Sequence, residues 1–459
     1  MSSRALVYGL AVAGAATVRA MTARGIVVVA ADDTNTPARR SLAEELGVEL
    51  CIAPDDAELD KLIQACDVVV PAPGVPESHR VMAAARSRGR RLASEIELAY
   101  EWEQDRAGGP RPMLAVTGTD GKTTTTLWAV EMLAAAGCRS VAAGNTEVPL
   151  VSALEMEVDA FVVECTSFRL ALTQQFRGEA AAWLNLAPDH LNWHRSMTTY
   201  GDAKNKLFAN QRHDDVAIGF AADAEVMRRL AAAPARHITF GWADSDYRVA
   251  DGVLVGPVGE LGAIDSLRRR LPHDLTNGLA AAALVMESGL ADRDAVAAGL
   301  ATFVGPPHRI ELVGDVDGVQ WYNDSKATTP HAASVAIAGF VSDGRGVVLI
   351  AGGRNKGLDL SPMAAAAVEG GDDRVRAVVA IGEAADLIAD TFAGRTIFRA
   401  LSMPDAVDVA GAAARPGDVV LLSPGCASFD WYPDGGYEAR GNHFRALVHA
   451  RAMQGATTQ

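Results

Sequence analysis

Cysteine is scarce in this chain, and positive charge falls short of negative charge. The 459 residues include five cysteines, which lie far apart without a CxxC pair, so reduced thiols are expected rather than disulfides or a zinc cluster. Lysine and arginine number 42 against 57 acidic residues, a net charge of −15, which argues against nucleic acid and anionic membrane as partners. The chain also lacks a long apolar run and a signal-peptide pattern. We therefore expect a cytoplasmic protein without membrane insertion.

The composition and the chain length predict several globular domains. Apolar residues make up 49% of the chain and charged residues 22%, as is usual for globular proteins, and the length suffices for about three domains. Two breaks stand at Gly108-Gly109-Pro110 and Gly305-Pro-Pro-His-Arg309. Strands alternate with helices throughout, which is typical of largely parallel sheets. The sequence predicts three α/β domains over residues 1–98, 99–304 and 305–459.

The segment Leu114–Thr126 carries the strongest chemical pattern. An apolar run enters a glycine turn at residues 118–121, and helical spacing begins at Thr123. A strand, a glycine turn and a helix in this order surround a phosphate with backbone N–H groups, with Lys122 at the β- and γ-phosphates and Thr123 at Mg²⁺. Val116 stands where the first glycine of the eight-residue motif belongs. An ordinary strand-to-helix turn is therefore the alternative.

The first hundred residues follow the order of a dinucleotide-binding unit without its glycine fingerprint. A turn over Gly9–Gly14 separates a strand from a helix, and the next strand ends at Asp32, about 20 residues beyond the glycines. The turn lacks the GxGxxG spacing, so a nicotinamide cofactor is not expected. A further strand runs into a Pro/Gly turn with Gly74 at its apex. A nucleotide-binding domain and a packing domain without ligand explain this pattern equally well.

An acidic residue and two histidines raise the question of a metal in the middle of the chain. Glu164 ends an apolar strand, a position that suits a Mg²⁺ ligand or a general base. A hydrogen-bonded structural carboxylate is the alternative at even odds. His190 and His194 stand four residues apart without the glutamate of an HExxH motif. Zinc is therefore not expected.

Two lysines and an asparagine lie on predicted helices. Lys204 and Lys206 belong to a helix predicted over residues 200–211, where an exposed position is the ordinary interpretation. Asn277 lies near the start of an alanine-rich helix predicted over residues 279–286, where capping is the ordinary role. The residue types alone give none of the three a catalytic task.

Five motifs stand in one order along almost the whole chain. They are Gly118-Thr-Asp-Gly-Lys-Thr-Thr124, Glu164-Cys-Thr-Ser-Phe168, Asp189-His190-Leu, Asn323-Asp-Ser-Lys-Ala-Thr328-Thr-Pro-His and Leu422-Ser-Pro-Gly-Cys-Ala-Ser428. In order and spacing they resemble the Mur ligase family, in particular its members that join glutamate to UDP-N-acetylmuramoyl-L-alanine with ATP. The resemblance implies a Rossmann-like domain for the UDP substrate, a P-loop ATPase-like domain and a Rossmann-like domain for the amino acid. It also implies a monomeric ligase of peptidoglycan-precursor synthesis, and hence of cell-wall biogenesis, cell shape and cell division.

The resemblance further implies roles for individual residues. ATP would contact Gly118, Thr119, Asp120, Gly121, Lys122, Thr123, Thr124, Asn277, Arg309 and Asp324. The other substrates would contact Asp32, Thr34, Gly74, Asn145, Lys326, Thr328, Lys356, Ser428 and Tyr437. Two Mg²⁺ sites would use Thr123, Glu164, His190 and a carbamylated Lys204, and the catalytic residues would be Lys122, His190, Lys204 and Arg309. Carbamylation gives Lys204 a carboxylate-like end, which replaces the interpretation of this residue as exposed surface.

Some positions depart from the family pattern. Asp120 and Asp274 stand where asparagine is usual, Arg169 stands where glutamine is usual, and the segment Ser428–Tyr437 is longer than usual. In the family this segment borders the bound amino acid, so its unusual length leaves the enantiomer open. D-glutamate is the family default, and L-glutamate, followed by an epimerase, is the alternative. A folylpolyglutamate synthase would begin directly at the phosphate loop. A non-catalytic nucleotide-binding protein would not need both metal sites, so these two alternatives explain the sequence less well.

Overall fold

The computed structural model describes residues 3–191, 193–368 and 374–456, and for residues 454–456 it describes the backbone alone. The chain forms two compact units. Unit 1 comprises Met1–Arg268 and Leu275–Phe303, and unit 2 comprises Arg269–Asp274 and Val304–Gln459. The predicted domain limits at residues 1 and 459 lie outside the described residues.

Unit 1 begins with a five-stranded parallel sheet in the order β3-β2-β1-β4-β5. Its strands are β1 (Arg4–Tyr8), β2 (Val27–Asp32), β3 (Glu49–Ile52), β4 (Val68–Pro71) and β5 (Arg91–Leu92). Its helices are α1 (Val12–Ala23), α2 (Pro37–Leu46), α3 (Asp56–Gln64), α4 (Arg80–Ser87) and α5 (Glu95–Gln104). The central strands β1 and β4 are buried almost throughout, as expected of a parallel sheet covered by helices on both faces.

Two glycines shape the turn between β1 and α1. Gly9 has a φ of 97°, which a residue with a side chain adopts only under strain. A Cβ atom on Gly14 would lie 2.0 Å from the carbonyl oxygen of Gly9. The helix therefore approaches the turn so closely that only glycine fits at position 14, although the dinucleotide fingerprint is missing.

The second sheet of unit 1 has nine strands in the order β14-β13-β12-β11-β10-β9-β6-β8-β7. Its strands are β6 (Met113–Thr117), β7 (Ser140–Gly144), β8 (Ala160–Glu164), β9 (Ala180–Trp183), β10 (Val216–Phe220), β11 (Arg236–Gly241), β12 (Tyr247–Ala250), β13 (Val253–Gly256) and β14 (Gly259–Ala263). The helices along this part of the chain are α6 (Lys122–Ala135), α7 (Leu150–Ala153), α8 (Ser167–Ala171), α9 (Met197–Ala209), α10 (Ala224–Leu230), α11 (Pro272–Glu287) and α12 (Arg293–Thr302). Strands β6 to β12 pair in parallel, and β12, β13 and β14 pair in antiparallel fashion.

Helices α6 and α12 pack closely in the interior of unit 1. Trp128 is fully buried, stacks on Phe303 with ring centroids 4.5 Å apart, and donates its indole N–H to the carbonyl oxygen of Gly299 at 3.1 Å. A Cβ atom on Gly299 would lie 2.8 Å from the Cα of Met132. Only a residue without a side chain allows the two helices to approach this closely.

Unit 2 contains a six-stranded sheet in the order β15-β16-β20-β17-β18-β19. Its strands are β15 (Glu311–Val316), β16 (Val319–Asn323), β17 (Val347–Gly352), β18 (Val375–Ile381), β19 (Thr396–Arg399) and β20 (Val419–Gly425). Its helices are α13 (Pro330–Ser342), α14 (Ser361–Ala366), α15 (Ala385–Thr391), α16 (Met403–Ala413) and α17 (Gly436–Ala456). All pairs are parallel except β15 with β16. Helix α13 starts at Pro330, and Thr329 caps it immediately before that residue.

The predicted fold class, three α/β domains with largely parallel sheets, is confirmed. Each sheet lies within one of the three predicted residue ranges. The limits of those ranges stay a prediction, and the limit placed between residues 98 and 99 lies inside α5. Within the described part of the chain, every helix is too short or too polar to be a candidate membrane span.

We predict that Gly299→Ala destabilises unit 1, because the added methyl group meets the backbone of α6. Overpacking of this kind costs about 1–3 kcal/mol. Gly262→Ala is the matched control, because its Cβ atom would make only an ordinary contact of 3.9 Å with Leu300 of the same helix α12. The measurement is the midpoint of urea unfolding followed by tryptophan fluorescence, and equal shifts in the two variants would contradict this account.

Candidate active site

The glycine turn of residues 118–121 joins β6 to α6 at the carboxyl edge of the nine-stranded sheet. Strand β6 lies between β8 and β9, and ligands of open α/β sheets bind where the chain leaves such neighbouring strands on opposite sides. Gly121 precedes α6 with a φ of 82°. A Cβ atom there would lie 2.3 Å from Oδ1 of Asn277. Glycine is therefore required at this position by both backbone conformation and space.

Hydrogen bonds hold the turn in one conformation. The backbone N–H groups of Thr119 and Asp120 both donate to Oδ1 of Asn185 at 2.9 Å. Nζ of Lys122 donates to the carbonyl oxygens of Gly118 at 3.0 Å and Thr119 at 2.7 Å. The ammonium group thus lies on the turn, where a bound phosphate would meet it. The sequence analysis did not single out Asn185, although it is a polar residue just beyond the end of apolar β9.

Asn277 lies beside this turn, but it does not cap a helix. Helix α11 begins at Pro272, earlier than predicted, so Asn277 lies in its second turn and the capping interpretation is wrong. The side chain is buried, and its Oδ1 accepts a hydrogen bond from Oγ1 of Thr125 at 3.3 Å. Asn277 therefore contacts α6 and the glycine turn together.

Glu164 ends β8 opposite Val116 of β6, and its side chain is buried. Its Oε1 accepts a hydrogen bond from Nδ2 of Asn145 at 2.8 Å, whereas its buried Oε2 has no hydrogen-bond partner among the residues that the structure describes. A buried carboxylate oxygen without a partner is unfavourable unless a ligand supplies one. Carboxylate oxygens are preferred ligands of Mg²⁺. This arrangement therefore fits a magnesium site next to the glycine turn.

Lys204 is buried on α9, with 1% of its surface exposed, so its interpretation as a surface residue is wrong. Its Nζ donates to the carbonyl oxygen of Gly118 at 2.6 Å and lies 4.6 Å from the centre of the Tyr200 ring. Burial lowers the pKa of Lys204 well below its ordinary value, and the nearby charge of Lys122 lowers it further. Because only an uncharged amine reacts with CO₂, the environment suits carbamylation.

Lys206, on the same helix, is also less exposed than its residue type indicates. Its Nζ donates to the carbonyl oxygens of Ala171 at 2.7 Å and Thr173 at 3.0 Å. Burial lowers the pKa of Lys206. These contacts to α8 and the segment after it are structural, and they lie away from the glycine turn.

His190 follows Asp189 in a left-handed backbone conformation, with a φ of 54°. Its Nε2 lies 3.2 Å from Oδ2 of Asp189, and the edge of its ring contacts Phe168. Burial lowers the pKa of His190, although Asp189 acts in the opposite direction. A neutral imidazole of this kind can accept a proton or bind a metal ion.

His194 is a structural residue. It is buried, its Nε2 lies 2.8 Å from Oγ of Ser167, and burial lowers its pKa to about 4. In the part of the chain that the structure describes, no three His, Cys, Asp or Glu side chains gather as a metal site. The predicted magnesium ligands include Thr123 and Lys204, which are of other residue types.

Asp32 ends β2 and organises the glycine turn of the first sheet. Its Oδ2 accepts from the backbone N–H of Leu10 at 2.7 Å, and its Oδ1 accepts from that of Thr34 at 2.8 Å. Arg39 lies 3.2 Å from the same carboxylate. Thr34 and Gly74 are exposed, so both are accessible to a ligand at this edge of the sheet.

Three residues near Asp32 were missed in the sequence. Asp33 accepts a hydrogen bond from the hydroxyl group of Tyr8 at 2.6 Å and lies 3.0 Å from Nε2 of His79. The rings of Tyr8 and His79 are 4.9 Å apart. Tyr8, Asp33 and His79 are far apart in the sequence, so the sequence does not reveal this cluster. The parallel order of the strands brings the three residues together.

In unit 2, Asp324 follows β16 and is buried. It accepts hydrogen bonds from Oγ of Ser423 at 2.7 Å and from the backbone N–H of Ile310 at 3.2 Å. Burial raises its pKa to about 7. Nε of Arg309 is buried and has no hydrogen-bond partner in the portion of the chain that the structure covers. Unit 2 thus carries two of the predicted ATP-binding residues close to one another.

The residues predicted to bind the amino acid have different exposures. Ser428 is buried, Thr328 is half-buried and Lys356 is exposed. Nζ of Lys326 lies 5.4 Å from the centre of the Tyr437 ring. Lys326 and Tyr437 are therefore neighbours in unit 2.

Arg440 of α17 is a further residue that the sequence analysis missed. It is 1% exposed, and it donates to Oγ of Ser325 at 2.9 Å and to the carbonyl oxygens of Ser325 and Cys426 at 2.8 and 3.2 Å. Burial lowers its pKa to about 10. Arg440 ties two motifs of unit 2 together, the one at residues 323–331 and the one at residues 422–428. An arginine within a polar helix gives no indication of this role in the sequence.

Asp274, where the sequence analysis expects asparagine in the family, has a charged partner. Its Oδ1 accepts a hydrogen bond from Nε of Arg269 at 2.9 Å, and both side chains are buried. The same guanidinium group donates to the carbonyl oxygens of Arg309 and Ile310 at 3.0 and 3.1 Å. The pair therefore holds the backbone on which Arg309 is carried.

The predicted site residues fall into separate groups. In unit 1, four further predicted site residues contact the glycine turn or lie at the same strand edge. They are Asn145, Glu164, Lys204 and Asn277. Asp32, Thr34 and Gly74 belong to the first sheet. Unit 2 carries Arg309, Asp324, Lys326, Thr328, Lys356, Ser428 and Tyr437.

Comparisons with known proteins relate the whole chain to one family. Residues 116–261 match the Mur ligase middle domain, and residues 308–426 match the Mur ligase glutamate ligase domain. A relative from Frankia casuarinae is 41% identical, covering 97% of this chain and 94% of its own. A relative from Myxococcus xanthus is 36% identical, covering 97% and 98%. The solved structure of the UDP-N-acetylmuramate-alanine ligase MurC from Thermotoga maritima shares the fold, with a TM-score of 0.59 at 17% identity over 98% of this chain and 100% of that one.

This chain belongs to the Mur ligase family and is an ATP-dependent ligase. Both of the relatives described above are named UDP-N-acetylmuramoylalanine--D-glutamate ligase.

We predict that Lys204→Met is more stable than the unchanged protein at neutral pH in bicarbonate-free buffer. The ordinary pKa of a lysine is 10.5, and folding lowers the pKa of Lys204. At a pH between the folded-state and unfolded-state pKa values, the amine takes up a proton when the protein unfolds. The free energy of unfolding of the unchanged protein therefore rises with pH in this range. Methionine does not titrate, so the advantage of the variant should shrink as the pH approaches 10.5. Urea midpoints across this range measure it, with exposed Lys61→Met as control. A difference independent of pH throughout would contradict the burial of an ionisable amine.

Proposed function

We propose that this chain joins D-glutamate to UDP-N-acetylmuramoyl-L-alanine with ATP, releasing ADP and phosphate, in the synthesis of peptidoglycan precursor. The arrangement around β6 supports this most directly: the Lys204 amine lies on the carbonyl oxygen of Gly118, in the same turn that carries Lys122. Glu164 ends the neighbouring strand with a carboxylate oxygen that lacks a partner in the described part of the chain. A phosphate turn, a carboxylate and a second potential anionic ligand at one strand edge suit a nucleotide with its magnesium ions.

The three reactants are assigned to the three predicted domains. Residues 1–98 would bind the UDP group through Asp32, Thr34 and Gly74, and residues 99–304 would bind ATP at the glycine turn, with Asn145 toward the muramoyl group. Residues 305–459 would bind glutamate through Lys326, Thr328, Lys356, Ser428 and Tyr437, and bring Arg309 and Asp324 to the nucleotide. We assign the reaction to the cytoplasm, where ATP is made, and to a monomer.

The first step activates the substrate carboxylate. One of its oxygen atoms attacks the γ-phosphorus of ATP, the bond from that phosphorus to the β,γ-bridging oxygen breaks, and an acyl phosphate and ADP result. Lys122 and Arg309 would stabilise the negative charge that develops on the transferring phosphoryl group. Bound Mg²⁺, held by Thr123 and Glu164 and by His190 and a carbamylated Lys204, would neutralise phosphate charge and orient the oxygens.

The second step forms the amide bond. The glutamate amine loses a proton and attacks the carbonyl carbon of the acyl phosphate, and phosphate leaves from the tetrahedral intermediate. His190 is our choice for the proton acceptor, because burial lowers its pKa and a neutral imidazole released from Mg²⁺ has a free ring nitrogen for the proton. The Ser428–Tyr437 segment would form part of the pocket that holds the glutamate carboxylates.

The alternative functions have less support. The relatives are named for D-glutamate, which favours that enantiomer over L-glutamate. This chain forms a sheet of five strands before the phosphate turn, whereas a folylpolyglutamate synthase would begin directly at that turn. The additional sheet therefore disfavours this function. A binding protein without catalysis has no need of a buried lysine with a lowered pKa beside the phosphate turn.

Phosphate release measured with UDP-N-acetylmuramoyl-L-alanine, ATP and each glutamate enantiomer tests the function. We predict turnover with D-glutamate, and loss of about 100-fold or more in kcat for Lys122→Ala, because a charge directed at the transferring phosphate is removed. Binding of the UDP substrate, measured calorimetrically, should be retained in that variant. Turnover with L-glutamate alone would reject the assigned enantiomer, and wild-type kcat in Lys122→Ala would reject the assigned phosphate site.

The carbamylation of Lys204 is tested separately. We predict that Lys204→Ala is inactive and is partly rescued by acetate, because a free carboxylate can replace the missing one. Lys206→Ala, on the same helix, is the matched control and should remain active without any response to acetate. A carbamate resonance after incubation with ¹³C-bicarbonate gives the direct readout. An active protein that shows no such resonance would reject the modification.

A further inference from the structure

Arg169 is a buried cation on α8 with partners on two other elements. Its side chain is 5% exposed. Its Nε donates to Oε1 of Glu95, the first residue of α5, at 3.1 Å, and its Nη1 donates to Oδ1 of Asn145 at 2.8 Å. Because a guanidinium group has only donors, the atom of Asn145 that faces it is the oxygen.

Asn145 connects Arg169 to Glu164. With its oxygen at the guanidinium, the amide directs Nδ2 to Oε1 of Glu164 at 2.8 Å. A carboxylate only accepts hydrogen bonds, so both neighbours demand the same amide orientation. The result is a continuous chain of hydrogen bonds from Glu95 to Glu164. It occupies one oxygen of Glu164 and, within residues 3–191, 193–368 and 374–456, leaves buried Oε2 without a partner.

Glu95 supplies the charge that allows Arg169 to be buried. It is 3% exposed and also accepts a hydrogen bond from the backbone N–H of Val151 at 3.3 Å. Burial raises the pKa of Glu95, and the charge of Arg169 opposes that rise. An arginine buried with a carboxylate partner is held in one place, whereas removing one partner leaves an uncompensated charge. The guanidinium is thus a fixed donor to Asn145.

We propose that Arg169 is a positioning residue that acts through Asn145 to hold Glu164 with Oε2 available to Mg²⁺. This inference rests on the proposed function, in which Glu164 is a metal ligand. Groups that hydrogen-bond to metal ligands tune metal affinity, and their loss typically weakens it by about 10–100-fold. Arg169 therefore belongs to the ligase site although it touches neither substrate nor metal.

Manganese affinity tests the proposal without relying on turnover. Mn²⁺ also favours octahedral oxygen sites, and its binding to the full chain with a non-hydrolysable ATP analogue is measured by electron paramagnetic resonance. We expect Arg169→Gln to raise the Kd of Mn²⁺ by about tenfold. Asn145→Ala should raise the Kd of Mn²⁺ by a similar factor. The double variant should show no further rise, because both substitutions break the same chain of hydrogen bonds to Glu164.

Arg111→Gln is the matched control. Arg111 is also largely buried and pairs at 2.7 Å with Glu103 on the same helix α5. Its other hydrogen bonds go to the carbonyl oxygens of Leu154 and Met156. The control should lose thermal stability and keep the Kd of Mn²⁺. A rise in this Kd equal to that of Arg169→Gln would overturn the specific role of Arg169.

Glu164→Gln separates failure of this inference from failure of the proposed function. Unchanged Mn²⁺ affinity in Glu164→Gln would reject Glu164 as a metal ligand. Weakened affinity in Glu164→Gln, with unchanged affinity in Arg169→Gln, would reject the positioning role alone. If Arg169→Gln does not fold, Arg169→Lys replaces it, because lysine keeps the charge but cannot bridge two partners with a planar fork. The same rise in Kd is then expected, and an unchanged value overturns the proposal.

Discussion

The contact between Nζ of Lys204 and the carbonyl oxygen of Gly118 joins α9 to the end of β6. Desolvation lowers the pKa of Lys204 well below its ordinary value, and Lys122 on the same turn adds repulsion that a protonated amine would have to overcome. The turn itself is held by Asn185 and faces Asn277. Strand β6, the turn and α9 therefore form one unit around an amine that water does not reach. The chemistry of the site depends on this desolvation more than on any single charge.

Much of the fold was predictable, because parallel strands have apolar sequences and helices begin at recognisable residues. The strand that ends at Glu164 followed from local pattern alone. The burial of Lys204 and the task of Arg440 did not, because each depends on carbonyl groups far away along the chain. Local pattern shows where elements lie. It does not show which long polar side chains fold inward, since that is decided by tertiary contacts.

Both Arg169 and Asp274 bring charge into a buried place, and each has an opposite charge beside it. Glu95 accompanies Arg169 in unit 1, and Arg269 accompanies Asp274 in unit 2. A single charged substitution in an interior is costly, but a matched pair is tolerated and fixes geometry through directed hydrogen bonds. Each pair also reaches further, to Asn145 in one case and to the backbone of Arg309 in the other. Arg169 and Asp274 are thus charged residues whose burial is compensated locally.

The close approach of α1 to the carbonyl oxygen of Gly9 has a consequence for the use of glycine patterns as evidence. A methyl group at position 14 would collide with the backbone before any ligand arrives. Glycine at this position therefore records how tightly a helix leaves a strand, and it carries no information about whether a dinucleotide, a UDP group or nothing at all binds there. Spacing of glycines constrains architecture first. Ligand identity has to be sought in the side chains at the strand edge, here Asp32 and its neighbours.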